Sequence, residues 1–317
     1  MTQTSTVTAG IDTSKAKLDI AIHGKPERWQ VANASKDWRK LAAVLKKAGV
    51  TRVGIEATGG YERGVVSLLR AEGFEVLVLQ PMQVRAVANM RLRRAKNDAI
   101  DAVLIAACAT MIEPPELAPD ERLSKLADQL TFVEQVEEDI ACWKTRLEHI
   151  ANARQRAFVL AYITKLEKRR AGELARIERA LRSHADLGLR LDLVLSVPGI
   201  GERTAIAIVV HLPELGRITR EQIAALAGLA PFDHDSGRYK GQRHIAGGRA
   251  RLRRSLYVAA LPAAFRWNKA LIALYGRLTA CGKPHKLALV ACARKLLIFA
   301  NTVVERGTPW AERPIAA

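Results

Sequence analysis

The amino-acid sequence predicts an α/β domain, then a long helical region, then a mainly helical C-terminal domain. Three observations lead to this prediction. Short apolar runs alternate with amphipathic stretches in the first third, a long span of heptad-like spacing follows, and the last third combines apolar helices with glycine-rich turns. The first pattern is typical of a mixed sheet covered by helices. A chain of 317 residues is long enough for two or three such domains.

The first third contains five runs that predict strands and two that predict helices. The strand runs are VTAGIDTS (7–14), KLDIAIHG (17–24), RWQVAN (28–33), RVGIEA (52–57) and FEVLVLQP (74–81). The helical runs are KDWRKLAAVLKKAG, with Ser35 predicted as its N-cap and Gly49 as its end, and YERGVVSLLRAEG. These elements predict an N-terminal α/β domain over residues 1–115.

The middle of the chain has no proline between residues 120 and 197, and its apolar residues recur at steps of three, four or seven. The series comprises Leu123, Leu126, Leu130, Val133, Ile140, Trp143, Leu147 and Ile150. This spacing predicts two long helices with coiled-coil character, although helices of one globular bundle share the same pattern. The prediction is a coiled-coil dimerisation region over 116–190.

Near its start, the C-terminal part, 191–317, contains SVPGIGERTAIAIVVHL (196–212), in which a Pro-Gly turn joins two helical stretches. Gly199 and Gly201 permit a tight turn that exposes backbone N–H groups at a helix start, where a phosphate can bind. The pattern favours a helix-hairpin-helix that binds DNA without regard to its sequence. A plain connection between core helices is the alternative.

The charge balance points to the class of partner. Fifty Lys and Arg residues against 32 Asp and Glu give a net charge of +18, which indicates a polyanion, nucleic acid before membrane. The N-terminus has no apolar signal core, and no apolar run long enough to span a bilayer is expected, so we predict no membrane partner.

Four acids stand in unusual places. Asp12 and Glu56 end apolar strands, and Asp98 and Asp101 lie three residues apart on one face of an amphipathic helix. A single acid at such a position is more typical of a turn, a helix cap or a solvated helix face. Neighbouring strands can, however, bring Asp12 and Glu56 to one edge of the sheet. Carboxylates that converge repel one another unless cations neutralise them, and two Mg²⁺ ions about 4 Å apart suit phosphodiester chemistry. The basic residues that precede the pair are Arg85, Arg91, Arg93, Arg94 and Lys96.

Ser236 precedes a basic, glycine-rich stretch that contains no acid up to residue 254. The basic residues that follow it are Arg238, Lys240, Arg243, Arg249, Arg251, Arg253 and Arg254. Such a loop is either a solvated surface or a cradle for phosphates, and a nearby metal site favours the cradle. A serine hydroxyl needs a base or a metal to become a nucleophile, so His234, His244 and the metal cluster are all candidate activators.

Five motifs in order resemble the DEDD transposases of bacterial insertion sequences, which are bridge-RNA-guided recombinases. They are GIDTSK, IEATGGYE, KNDAIDA, SVPGIGERTA and SGRYKGQRHIAGGRARLRRSLYVAAL, and they fall between about residues 8 and 262. The resemblance implies a RuvC-like, ribonuclease-H-type N-terminal domain with Asp12, Glu56, Asp98 and Asp101 as metal ligands. It also implies a C-terminal transposase domain with Ser236 as the catalytic serine, and a homo-oligomer that assembles from dimers to a tetramer.

The resemblance further implies a structured guide RNA that pairs with double-stranded target and donor DNA, and a place in the bacterial cytoplasm at the nucleoid. The expected function is therefore an RNA-guided DNA recombinase. One alternative is a metal-dependent nuclease or junction resolvase that uses water as the nucleophile. The other is a non-catalytic nucleic-acid-binding protein in which the acids cap turns.

Overall fold

The computed structural model describes residues 6–91, 98–113, 120–232, 241 and 243–311. Within it the chain divides into two compact units, Met1–Glu116 and Leu117–Ala317.

The first unit is a five-stranded mixed sheet with helices. Its strands are β1 (Thr8–Thr13), β2 (Lys17–Ile22), β3 (Arg28–Ala32), β4 (Arg52–Glu56) and β5 (Glu75–Leu79). Its helices are α1 (Ser35–Lys47), α2 (Arg63–Ala71), α3 (Pro81–Met90) and α4 (Asp98–Met111). The strand order is β3-β2-β1-β4-β5, antiparallel in the β3-β2-β1 half and parallel from β1 through β4 to β5.

The two faces of this sheet have separate cores because strand side chains alternate between them. On one face Ile11, Ile20 and Ile55 pack with Leu41 and Leu45 of α1 and with residues of α2. The opposite face packs against α3 and α4, where Leu77 and Leu79 of β5 meet Leu104, Ile105 and Cys108. A mixed sheet with helices on both faces fits the ribonuclease-H-like domain that the resemblance implies.

The predicted N-cap of α1 is wrong by one residue. Ala34 is the N-cap, with extended backbone and no side-chain cap, and Ser35 is already the first helical residue. Trp38 N–H donates to Ala34 O, which fixes the helix start one residue earlier than the serine pattern suggests. The predicted end is confirmed, since Gly49 has a positive φ of 73°.

The second unit is mainly helical. Its first helices are α5 (Glu121–Glu148), α6 (Ala153–Arg182), α7 (Ala185–Leu195), α8 (Glu202–His211) and α9 (Arg220–Leu226). After the short strands β6 (Pro231–Phe232) and β7 (His244–Ile245) come α10 (Ala250–Pro262), a π-helical turn (Ala263–Trp267), α11 (Lys269–Ala280) and α12 (His285–Arg306).

The long helices α5 and α6 form an antiparallel hairpin within one chain. Leu123, Leu130 and Val133 of α5, with Ile177 and Leu181 of α6, belong to the main core of the unit. Toward the tip a separate small cluster forms, composed of Val136, Ile140, Val159 and Ile163. The heptad-like spacing is thus satisfied inside the chain, and a coiled coil between chains stays a prediction.

Helix α12 corrects the expectation that no stretch is long and apolar enough to cross a membrane. His285–Arg306 meets that test by length and composition. Half of its most apolar stretch is buried inside the unit. Its Asn301 accepts a hydrogen bond from Gly216 N–H at 2.8 Å and donates one to Ile218 O at 3.0 Å. The apolar composition is therefore explained by its place as a core helix.

Candidate active site

Two of the predicted acids lie side by side at the carboxyl ends of adjacent parallel strands. Ile11 of β1 pairs in register with Ile55 of β4, so the next residues, Asp12 and Glu56, are level with each other. Both side chains are partly exposed. Their side chains emerge on the face of the sheet that packs against α4, because they alternate with the buried Ile11 and Ile55.

Helix α4, whose first turn contains the other two acids, begins at the same edge. A Cβ at Gly10 would collide with the backbone of Ala102 and Ala106, and one at Gly54 would lie 2.6 Å from Ala109 Cβ. At the other end, Arg52 Nη1 at the start of β4 donates to Ala109 O at 3.3 Å. The helix therefore runs antiparallel to β1 and β4, and its N-terminal end lies toward the carboxyl ends of these strands.

Asp98 is the first residue of α4 and Asp101 lies in its first turn. The side chain of Asp101 is partly exposed, whereas that of Asp98 lies outside the described part of the chain. Burial raises the pKa of the Cys108 thiol, and the negative charge of Glu56 raises it further. Glu56 therefore acts electrostatically on a residue of α4.

Asp19 is an acid at this face that sequence reasoning missed. It pairs in register with Asp12 across the antiparallel strands β1 and β2. Its buried carboxylate accepts a hydrogen bond from Gln30 Nε2 and forms an ion pair with Lys17 Nζ at 3.2 Å. These partners offset the repulsion expected between like charges on directly opposed residues. Side chains in the strand KLDIAI alternate between the two faces of the sheet. The register with β1 then puts Asp19 on the same face as Asp12.

Asn33 was also missed, and it ties together the loops that follow β1 and β4. Its Nδ2 donates to Ser14 O at 2.8 Å and to Tyr61 O at 3.1 Å, while its Oδ1 accepts from Trp38 Nε1 at 2.9 Å. Ser14 follows β1, and Tyr61 belongs to the turn after β4. Asn33 therefore fixes the two loops next to Asp12 and Glu56.

Glu62 is the buried acid of the IEATGGYE motif, and it serves its own turn. Its Oε2 accepts from the N–H groups of Thr58 at 3.1 Å and Gly60 at 2.9 Å. This arrangement satisfies backbone donors just beyond β4. It makes the turn rigid where Glu56 leaves the sheet.

The side chain of Asp98 is not among those that the structure describes. The described side chains contain no group of three or more His, Cys, Asp or Glu residues that could hold a metal ion. The donor chemistry nevertheless fits Mg²⁺, which prefers carboxylate oxygens. Asp12, Glu56 and Asp101 would supply such oxygens from β1, β4 and α4. The metal-binding role of the four acids stays a prediction.

The predicted basic flank of this site lies mostly outside the described residues. Arg91 is the C-cap of α3, at the end of the described stretch. Arg93, Arg94 and Lys96 fall in the part that the structure does not describe.

In the second unit, Ser236 with Arg238 and Lys240 also lies outside the described residues. The strands on either side of this segment pair with each other: Pro231 is opposite Ile245 and Phe232 is opposite His244. Arg243 is exposed beside β7.

Four predicted DNA-contacting arginines have acceptors within the chain. Arg249 pairs with Glu214, Arg251 Nη1 donates to the buried Glu134 at 2.5 Å, and Arg254 Nη1 to Glu138 at 2.8 Å. Arg253 Nη1 donates to the carbonyl of Gly247 at 2.6 Å. Sequence reasoning missed the partners of Arg249, Arg251 and Arg254 because they come from distant parts of the chain. The proposed contacts of these arginines with DNA stay predictions.

The Pro-Gly turn places its two glycines in different environments. Gly199, with φ of 94°, packs so closely on Ala263 that a Cβ would collide with the alanine side chain. Asn268 Nδ2 donates to Pro198 O at 3.1 Å and anchors the turn. Gly201 is the N-cap of α8, and open space surrounds the position of its missing side chain. Gly201 thus suits a phosphate contact better than Gly199, whose role is packing.

Comparison with known proteins identifies the family. Residues 9–182 match a family model described as a transposase, the DEDD transposase of IS110, and residues 191–276 match one described as "Transposase IS116/IS110/IS902 family". Pilin gene-inverting proteins of Moraxella lacunata and Moraxella bovis are each 25% identical over 96% of this chain and 97% of their own length.

Two further similarities cover less of the chain. The insertion element IS110 uncharacterized 43.6 kDa protein of Streptomyces coelicolor is 33% identical over 46% of this chain and 35% of its own. A solved structure, T. thermophilus RuvC in complex with Holliday junction substrate, is 17% identical over 32% of this chain and 91% of that chain. Its TM-score of 0.27 is too low to support an inference. The two family models, which together span residues 9–276 with a short gap, decide the question: the chain belongs to the IS110 family of DEDD transposases.

Proposed function

We propose that this DNA transposase cuts and rejoins DNA strands through a covalent bond to Ser236, at sites selected by a guide RNA. The observation that carries the proposal is the meeting of Asp12, Glu56 and the N-terminal end of α4 at one edge of the sheet. Acids that only capped turns would not need to share one edge of the sheet.

Asp12, Glu56, Asp98 and Asp101 are the residues that would hold Mg²⁺, in our proposal as a pair of ions. Bound there, Mg²⁺ would supply Lewis-acid stabilisation of the charge that develops on the oxygens of the reacting phosphodiester. The chain's own part is to hold the carboxylates in place through β1, β4 and α4.

In the proposed reaction, Ser236 Oγ attacks a DNA phosphorus in line. The Oγ–P bond forms, the P–O bond to one sugar breaks, and the serine proton ends on the released sugar hydroxyl. The phosphoserine ester conserves the bond energy, so a second sugar hydroxyl can reverse the step and join a new strand end. Attack by water would release that energy and leave a nuclease product instead.

Guide RNA, double-stranded target and donor DNA, and localisation at the nucleoid are proposed on the family resemblance. The excess of positive charge supports any of these polyanions as partners. In the same proposal, residues 1–115 carry the acids, 116–190 bring copies of the chain together, and 191–317 bring the serine and the DNA-binding turn.

The first experiment measures covalent protein–DNA adduct on denaturing gels with a labelled DNA substrate and Mg²⁺. Ser236→Ala and each of Asp12→Ala, Glu56→Ala, Asp98→Ala and Asp101→Ala should lose the adduct while RNA and DNA binding persist. Glu72→Gln is the matched control, because this exposed acid pairs with Lys46 at the surface of the same unit. Strand cleavage by Ser236→Ala would assign the reaction to water and favour the nuclease alternative.

A mixing experiment tests whether the serine of one chain works with the acids of another. Inactive Ser236→Ala and Asp12→Ala proteins, combined before DNA is added, should recover part of the wild-type activity if the site is shared between copies. No recovery would place the serine and the acids of one working site on the same chain.

The guide RNA is tested by purifying the protein through a high-salt wash and sequencing the nucleic acid that remains bound. A single structured RNA would support the proposal. Random fragments, removed by competitor DNA, would leave a recombinase without a guide.

A further inference from the structure

Gly228 and Gly247, which lie on either side of Ser236 in the sequence, meet at a tight crossing of the backbone in the second unit. Before the segment that carries Ser236, Gly228 has φ of 67°, and after it Gly247 and Gly248 have φ of 63° and 65°. A Cβ at Gly228 would collide with Gly247 O, and one at Gly248 would lie 2.6 Å from Gly228 Cα. The two ends of the segment are therefore in backbone contact, eight residues before Ser236 and eleven after it.

Arg253 holds this crossing from the side of α10. Its Nη1 donates to Gly247 O at 2.6 Å and also lies within 3.4 Å of Gly228 O and 3.5 Å of Ala227 O. One guanidinium thus joins carbonyls from both ends of the segment. A charged donor to a backbone carbonyl makes a stronger bond than a neutral one.

Arg249 holds the crossing from the other side. Its backbone N–H donates to Leu226 O at 2.8 Å, and its Nη1 and Nη2 donate to the two oxygens of Glu214 at 2.8 and 2.7 Å. Although burial opposes ionisation, the hydrogen bonds and charge of Arg249 hold the pKa of Glu214 below its usual range. A bidentate, half-buried pair of this kind fixes orientation as well as distance.

We propose that Glu214, Arg249 and Arg253 form an arginine brace of positioning residues that sets the position of Ser236 for attack on DNA. The proposal rests on the proposed function of Ser236. It gives Arg249 and Arg253 a role different from the phosphate contacts that their sequence context suggests, because their charged N–H groups are already bonded within the chain. A displacement of about 1 Å at a reacting group can cost a factor of 10² in rate.

The test compares Glu214→Gln, Arg253→Gln and Arg253→Lys with the wild-type protein in single-turnover formation of the Ser236–DNA adduct. The arginine brace predicts a loss of about 100-fold for all three, with unchanged DNA affinity. Arg253→Lys is decisive, since lysine retains the charge that a phosphate contact needs but cannot reach carbonyls on both ends in the guanidinium geometry. A phosphate contact would tolerate lysine, and its loss in Arg253→Gln would reduce the salt slope of binding by about 1.

Glu221→Gln is the matched control, because it breaks an exposed Arg–Glu pair on α9 near the same region and should keep the wild-type rate. Hydrogen–deuterium exchange supplies a readout apart from activity: Arg253→Gln should speed exchange at Phe232 and His244 but not in α12. Faster exchange throughout the unit would mean loss of fold and would overturn a local role. Equal rates of adduct formation in the variants and the wild type would refute the positioning role alone. A wild-type protein that forms no adduct would refute the proposed function as well.

Discussion

Gly10 and Gly54 let α4 pack close to the sheet. This packing fixes the position of the helix that carries Asp98 and Asp101. Both glycines stand two residues before a strand-ending acid, and both are in direct contact with alanines of α4. Neither position has a positive φ, so close approach alone explains why the residue is glycine.

Gly10→Ala should therefore destabilise the first unit by about 1–3 kcal/mol or more, because the new methyl group collides with helix backbone that cannot move separately. Urea unfolding followed by circular dichroism measures the change. Gly172→Ala is the contrast: it adds the same methyl group in open space in the middle of α6 and should stabilise by about 0.5–1 kcal/mol. A stable Gly10→Ala protein with native activity would show that α4 can lift from the sheet freely.

Glu134 gives the second unit an acid-sensitive centre. Burial opposes its ionisation, but Arg251, Arg203 and His211 outweigh that effect and lower its pKa from 4.5 to about 2. A depressed pKa contributes stability above the unfolded value near 4.5, and this stability is lost as the pH falls toward 2.

Glu134→Gln should lower the free energy of unfolding at pH 7, and the difference from wild type should shrink as the pH falls from about 4.5 toward 2. Urea titrations at a series of pH values measure it. Glu138→Gln, which breaks an exposed pair with Arg254, should change little at any pH. A wild-type-minus-variant difference that stays constant with pH would contradict the assignment.

The candidate acids could be found from sequence because each stands at the end of a local pattern, a strand or an amphipathic helix. The partners of Asp19, Asn33 and Arg253 could not, since they depend on strand register and on crossings between distant segments. The local composition of residues 236–254 predicts a basic surface, while the tertiary structure gives several of those charges internal acceptors.

At the scale of elements, periodicity predicted the five strands and the long helices α5 and α6 well. It could not decide which surface the apolar stripe of these helices meets. Leu123 and Leu130 pack into their own unit, so contacts between copies must use other side chains. Phe158, on α6 near the tip of the hairpin, is 70% exposed.

Phe158→Ser should weaken self-association, measured by sedimentation velocity with and without RNA and DNA. The thermal midpoint should not fall, because the ring is already in solvent. Leu189→Ser, at a 58% exposed position on α7, is the control and should leave assembly unchanged. A wild-type protein that remains monomeric under every condition would rule out the proposed oligomer.

At the scale of the whole molecule, binding to nucleic acid should depend strongly on salt. If six to ten phosphates are neutralised, log K should fall against log salt with a slope of about −5 to −9. Fluorescence anisotropy with labelled DNA between low and moderate salt measures the slope. A value shallower than about −2 would mean that the excess positive charge does not face the DNA.

Helix α10 connects two features of the second unit. It starts directly after Arg249 and ends at the π-helical turn against which Gly199 is packed. Its 13 residues span about 20 Å, the rise of about six base pairs of duplex. If the Pro-Gly turn and the Ser236 segment grip the same duplex, the length of one helix sets the spacing between the anchored phosphate and the cut. Hydroxyl-radical footprints should then show protection about six base pairs from the cleavage site. Lengthening α10 by one helical turn should increase this distance by about one or two base pairs.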